Sequence, residues 1–121
     1  MDEPDRKDNL IGIVGPCGAG KSSLIGGLER AGYACRHIAQ EHSYVPYMWE
    51  RITNPDVLIY LQASFTACTE RRRLNWTEAD YEEQLRRLSH ARQHADLLID
   101  TDSLSISQVL ERVLAFLQQH S

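Results

Sequence analysis

The chain has 121 residues, of which 42% are hydrophobic and 25% charged, and its formal net charge is -4. These values predict one globular domain with a single hydrophobic core, and they lack the basic excess of nucleic-acid-binding proteins. Because the longest apolar runs are strand-sized, no membrane span is expected. Residues 1–9 are predicted to be a disordered tail and 10–121 the domain. Cys17, Cys35 and Cys68 match neither a disulfide framework nor a zinc pattern, which predicts reduced thiols in a cytoplasmic protein.

Short apolar runs alternate with amphipathic segments along the chain. Strands are predicted at residues 10–14, 33–38, 57–61 and 97–99. Helices are predicted at residues 22–31, 46–52, 64–74, 77–95 and 105–117, with Thr77 and Ser105 as N-caps. This alternation predicts an α/β fold of three layers, α/β/α, with a short, mostly parallel sheet of about four strands.

A glycine-rich loop lies between the first predicted strand and the first predicted helix. Residues 15–22 read Gly-Pro-Cys-Gly-Ala-Gly-Lys-Ser and match G-x-x-x-x-G-K-[ST]. Glycines let the backbone approach an anion, and the N–H groups of the loop and the helix start can then bind it. The residues predicted to bind a nucleoside triphosphate here are Gly15, Gly18, Ala19, Gly20, Lys21, Ser22 and Ser23. In this prediction, Lys21 binds the β- and γ-phosphates and the Ser22 hydroxyl binds Mg²⁺.

The alternative for this loop is a glycine-rich turn without a ligand. Cys17 occupies a variable position of the pattern. No base lies near it in sequence, so Cys17 is interpreted as a small tolerated residue and not as a catalytic thiol.

Four segments in the second half follow one another in a characteristic order. They are VLIYLQAS, ERRR, a helix with Leu85, Leu88 and Arg92, and ADLLIDTDSLS. Together with the loop at 15–22, they resemble shikimate kinase and related small-molecule and nucleoside-monophosphate kinases among the P-loop NTPases. The resemblance implies ATP as the nucleotide. It also implies that Arg71 or a neighbouring arginine contacts the nucleotide, that Thr101 lies beside the base, and that Arg92 binds the carboxylate of the acceptor.

The middle of the chain departs from that group, which carries a further strand and helix before the strand at 57–61. The Asp-x-Asp that shikimate kinase shows after its second strand is also absent, and the nearest acid is Glu41. Ligands bind at the carboxyl ends of parallel strands, so Glu41 is predicted to be a catalytic carboxylate and His42 is a second candidate. The alternative for Glu41 is a solvated loop carboxylate. Asp100, after the strand at 97–99, is another candidate acid, although the resemblance puts it beside the base.

Three residues of the long helix at 77–95 also need interpretation. Arg92 falls on its apolar face, where it either extends its guanidinium into solvent or pairs with an anionic group of the acceptor. His90 and His94 have the i,i+4 spacing of metal ligands but are predicted to be solvated.

Together with the resemblance, these patterns predict an ATP-dependent phosphotransferase that acts on a hydroxyl of a small metabolite or nucleotide. The expected cofactors are ATP and Mg²⁺, and the expected catalytic residues are Lys21 and Glu41, with Arg71 and Arg92 as the resemblance implies. The alternative is an ATP-binding module or regulatory ATPase without an acceptor site, which the shortened middle favours. A GTPase switch is a third possibility, although the chain contains no Asn-Lys-x-Asp. Neither a nucleic acid nor a membrane is expected as partner. The protein is predicted to be a monomer or a homodimer, because a short sheet can expose an edge strand.

Overall fold

Four strands form one parallel sheet in the computed structural model, which describes residues 9–119. The strands are β1 (Leu10–Val14), β2 (Ala34–His37), β3 (Val57–Gln62) and β4 (Leu97–Asp100). Their order is β2-β1-β3-β4, and every neighbouring pair is parallel. The predicted α/β class is therefore confirmed, and the sheet is fully parallel among the described strands. The predicted tail at 1–9 lies, except for its last residue, outside the described residues.

The helices overlap the predicted segments, and the two predicted N-caps, Thr77 and Ser105, are confirmed. They are α1 (Lys21–Arg30), α2 (Met48–Ile52), α3 (Phe65–Arg72), α4 (Glu78–His94) and α5 (Ile106–Gln119). Thr77 caps α4 in a reciprocal box with Asp80, and Ser105 caps the last helix through Gln108. Within residues 9–119, no helix has the length and apolar character that crossing a bilayer requires.

Alternate side chains of the strands pack into two separate cores, one on each face of the sheet. On one face, Ile11, Ile13 and Ile59 pack against α1, α3 and α5. On the other face, Val14, Leu58 and Tyr60 pack against residues of α2 and α4. Helices therefore cover both faces, an arrangement compatible with the predicted three layers.

The carboxyl ends of all four strands meet at one edge of the sheet, because the strands are parallel. The glycine-rich loop follows β1 there, and a short 3-10 turn (Gln40–His42) follows β2. Since β2 pairs directly with β1, these two segments are neighbours in space although about 20 residues separate them in sequence. This edge is where an open α/β sheet binds its ligands.

Candidate functional site

The glycine-rich loop adopts a conformation that depends on its glycines. Gly18 and Gly20 have φ angles of 86° and 105°, in the left-handed region. A Cβ on Gly18 would lie 2.6 Å from the backbone oxygen of Cys68 at α3, whereas a Cβ on Gly20 would meet no atom within 4 Å. Gly18 is thus required both by its conformation and by close packing, and Gly20 by its conformation.

The loop ends at the N-terminus of α1, where the backbone can bind an anion. Gly20 is the N-cap, and no side chain of the described residues caps this helix. The N–H groups of the first turn have no acceptor within the helix, and they carry the positive end of the helix dipole. Ser22 and Ser23 are exposed in this turn. An anion bound beside Ser22 would be stabilised by both effects.

Lys21 is a buried cation that pairs with a buried carboxylate. Its Nζ donates to Oε2 of Glu41 at 2.8 Å, to the oxygen of Pro16 at 3.2 Å and to the oxygen of Gly15. The side chains of Lys21 and Glu41 are only 6% and 3% exposed. The other carboxylate oxygen of Glu41, Oε1, has no hydrogen-bond partner among the described residues. Glu41 is therefore not the solvated loop carboxylate of the alternative interpretation.

Hydrogen bonds to three other segments hold the turn that carries Glu41. The amide of Gln40 donates to the backbone oxygens of Val45 and Arg87, and it accepts from the backbone N–H of Trp49. Arg87 in turn donates to the backbone oxygen of Glu41 at 3.3 Å. Gln40 and Arg87 were not identified from the sequence, because their roles depend on contacts between α4 and a distant turn.

Arg71 and Thr101 lie against the loop from the opposite side. Arg71 donates to the hydroxyl of Thr101 at 2.9 Å and to its backbone oxygen at 2.6 Å. Thr101 is buried, and its hydroxyl contacts the backbone oxygen of Ala19 at 3.2 Å. The end of α3 and the segment after β4 are thereby joined to the glycine-rich loop.

These elements enclose a cleft of about 810 Å³, hereafter the main cleft. Its polar lining includes residues 17–23, His37, Glu41, His42, Arg71, Arg72 and Thr101, and its apolar lining includes Leu104, Ile106 and Val109. Gly15 is buried beneath the loop, where its carbonyl holds Lys21. Burial, and then the charge of Lys21, lower the pKa of His37 in this cleft. A lining with cations and N–H groups beside apolar side chains suits a ligand with an anionic part and an apolar part.

Arg92 lies outside the main cleft. It borders a second cavity of about 390 Å³, whose described lining shares no residue with that of the main cleft. Tyr81 and Leu85 line this cavity too, so they share a face of α4 with Arg92, as the helical spacing predicted. Arg92 is exposed; it donates to Oε1 of Gln62 at 3.2 Å, and its guanidinium lies 6.0 Å from the centre of the Tyr60 ring.

Three further sequence predictions concern Asp100, His90 and His94. Asp100 lines the second cavity and not the main cleft. The prediction that His90 is solvated is wrong, because His90 is half-buried and its Nδ1 accepts from the indole of Trp49 at 3.0 Å. His94 is exposed and stacks on His90 with 4.2 Å between ring centroids.

The structure also gives Cys17 neighbours that its sequence position did not indicate. Its Sγ lies 3.6 Å from Nε2 of His42 and 3.9 Å from Oε2 of Glu41. The amide of Gln84 accepts from the backbone N–H of Cys17 and donates to its Sγ at 3.3 Å. These neighbours come from the pairing of β2 with β1 and from α4, so a search for a base near Cys17 in sequence could not find them.

Comparison with models of known protein families finds no match, and comparison with curated proteins finds none either. The function is therefore inferred from the loop pattern and from the geometry of the main cleft.

Proposed function

We propose that this chain is an ATP-binding protein of the P-loop NTPase type, and that the main cleft holds the triphosphate of MgATP. The observation that supports this best is the position of Lys21, a buried cation beside an uncapped helix N-terminus and a left-handed glycine loop. Each of the three features stabilises an anion, and all of them border the same cleft. Arg71 and Arg72 add two cations to its wall.

Glu41 is the anionic partner of Lys21 in the structure, and the proposed nucleotide would compete with it. Phosphate oxygens would replace the carboxylate, because they can accept both from Lys21 and from the first turn of α1. The carboxylate of Glu41 would then turn from Lys21 towards the cation of the nucleotide or the acceptor hydroxyl. Its second oxygen already lacks a partner among the described residues, and a buried polar atom is costly to leave unpaired.

The residues present also fit a magnesium ion. Ser22 supplies an exposed hydroxyl in the main cleft, and Glu41 supplies a carboxylate oxygen that pairs with none of the described residues. Mg²⁺ prefers such oxygen ligands together with water and phosphate. When bound, it would neutralise the charge that develops on the phosphates during transfer.

We further propose transfer of the γ-phosphoryl group to a hydroxyl of a small metabolite or nucleotide. Lys21 and Arg71 stabilise the transferring group, and Glu41 accepts the proton of the acceptor hydroxyl. A role for Arg92 in acceptor binding requires an acceptor that reaches the second cavity. The separation of Arg92 from the main cleft favours the second candidate function, an ATP-binding module without phosphoryl transfer.

Calorimetric titration with ATP and Mg²⁺ tests nucleotide binding. Lys21→Met and Arg71→Met should each lower the affinity at least about tenfold, since a charge-assisted hydrogen bond contributes about 1.5–3 kcal/mol. Arg51→Met is the matched control, because Arg51 is an exposed cation of α2 that lines neither cavity. Absence of binding to the unmodified protein, or equal losses in all three variants, would refute the proposal.

ADP formation with a panel of hydroxylated metabolites separates the two functions. ADP that appears only with one acceptor, and that is lost in Glu41→Gln, supports the phosphotransferase. Stoichiometric ATP binding without turnover on any acceptor supports the module instead.

A further inference from the structure

We propose that Cys17, Glu41 and His42 form a binding site for Zn²⁺ at the edge of the main cleft. These residues offer a thiol, a carboxylate and an imidazole, and their donor atoms all lie within 4.8 Å of one another. One donor comes from the glycine-rich loop and two come from the 3-10 turn after β2. The site does not depend on the proposed nucleotide function.

The distances between the three donor atoms suit a single small ion. Sγ of Cys17 lies 3.6 Å from Nε2 of His42 and 3.9 Å from Oε2 of Glu41, and the last two atoms are 3.8 Å apart. The centre of such a triangle is about 2.2 Å from each corner, close to the Zn–S, Zn–N and Zn–O distances of about 2.0–2.3 Å. No backbone movement is needed to bring the donors into range.

The chemistry of the donors selects the metal. Thiolate and imidazole prefer Zn²⁺ over Mg²⁺, which binds oxygen ligands. On binding, the S–H bond of Cys17 breaks, a Zn–S bond forms and the proton passes to solvent. The thiolate and the carboxylate together then offset two of the three positive charges that the ion and Lys21 bring to the site. The side chain of His42 is 59% exposed, so water can reach a fourth ligand position.

Neighbouring side chains hold the donors in place. Gln84 donates from its amide to Sγ of Cys17 at 3.3 Å and accepts from the N–H of the same residue at 3.0 Å. Glu41 is held by Lys21 through Oε2 and by Arg87 through its backbone oxygen, while Oε1 has no partner among the described residues. Such outer contacts orient ligands before the metal arrives. Oε2, the corner of the donor triangle, can bind the ion while it accepts from Lys21, because a carboxylate oxygen has two lone pairs.

In the proposed zinc site, Glu41 remains paired with Lys21 while it binds the ion. If MgATP binds as proposed above, Lys21 contacts the phosphates and Glu41 contacts the magnesium ion or the acceptor hydroxyl. Zn²⁺ and MgATP should therefore exclude each other, and this part of the inference depends on the proposed function.

Titration of the purified protein with Co²⁺, followed by absorption spectroscopy and displacement by Zn²⁺, tests the site. We expect one equivalent of Co²⁺ with a thiolate-to-metal band and a tetrahedral ligand-field spectrum. Cys17→Ser should abolish the thiolate band, and His42→Ala should weaken binding at least tenfold. Cys35→Ser is the control, because Cys35 lies on β2 outside the cluster, and it should keep the full spectrum.

Far-UV circular dichroism and thermal unfolding establish that each variant is folded before titration. A thiolate band that persists in Cys17→Ser, or no binding of Co²⁺ or Zn²⁺ by the unmodified protein, would overturn the zinc site. In a separate titration, excess MgATP should remove the cobalt spectrum. An unchanged spectrum with ATP bound in calorimetry would overturn the mutual exclusion, whereas failure of ATP to bind at all would count against the proposed function alone.

Discussion

Replacing Lys21 by alanine should destabilise the fold in the absence of any nucleotide. The change removes the ammonium group that lies 2.8 Å from Glu41 and leaves a carboxylate that is only 3% exposed. Breaking a buried ion pair by removing one partner costs about 3–5 kcal/mol. We expect about 3 kcal/mol, the lower end, because the pair borders the main cleft and water can enter the space that the lysine side chain filled. In a domain of this size, that loss lowers the melting temperature by about 10 °C.

Two companion variants separate the lost charge pair from other effects of the substitution. Glu41→Gln should lower the stability less than Lys21→Ala, by about 1–2 kcal/mol, because the buried ammonium of Lys21 keeps its acceptors on Gly15 and Pro16 and can donate to the amide oxygen of the new side chain. The double variant Lys21→Ala with Glu41→Gln should be more stable than Lys21→Ala alone, since no charge then stays buried without a partner. Urea unfolding of the four proteins, followed by circular dichroism, measures the cycle. If Lys21→Ala is as stable as the unmodified protein, or the double variant is less stable than Lys21→Ala, the reasoning is refuted.

Three other predictions concern the loop, a helix cap and a buried phenol. Gly18→Ala should lower the free energy of unfolding by about 1–3 kcal/mol, because Gly18 has a left-handed φ and is closely packed. Gly26→Ala inside α1 should leave it unchanged or raise it by up to about 1 kcal/mol, and chemical denaturation compares the two variants. Thr77→Ala should lower the free energy of unfolding by about 1 kcal/mol, because it removes the hydroxyl that accepts from the backbone N–H of Asp80. A melting temperature equal to that of the unmodified protein would contradict this. Burial raises the pKa of Tyr60 from 10.0 to about 12, so the unfolded chain loses that proton first as pH rises. The free energy of unfolding of the unmodified protein should therefore fall between pH 10 and 12, by roughly 2–3 kcal/mol more than that of Tyr60→Phe. Urea unfolding at each pH measures both.

Local patterns were sufficient to locate the strands and helices. Apolar runs bounded by turn residues located β1 and β3, and capping residues located the starts of α4 and α5. The observed end of a helix differs from the predicted one where a single residue adopts a non-helical backbone conformation. For example, α3 ends before Leu74 because Arg73 adopts a left-handed conformation with φ 51°.

The order of the strands could not be obtained in the same way. The sequence predicts that strands alternate with helices, but packing between distant segments determines which strands are neighbours in a parallel sheet. The pairing of β2 with β1 depends on such packing, and it places Glu41 beside Lys21 and His42 beside Cys17. A helical wheel likewise put Arg92 on the face of Tyr81 and Leu85, without showing that this face borders a different cavity.

The α/β class, the positions of the elements and the composition of the glycine-rich loop depend on residues close together in the chain, so the amino-acid sequence was enough to predict them. Three other features depend on contacts between distant segments: the pairing of Lys21 with Glu41, the imidazole and carboxylate beside Cys17, and the separation of Arg92 from both. The residues concerned are about 20 to 75 positions apart in the sequence. These three features follow from strand order and helix docking, which depend on how the whole chain buries its apolar surface.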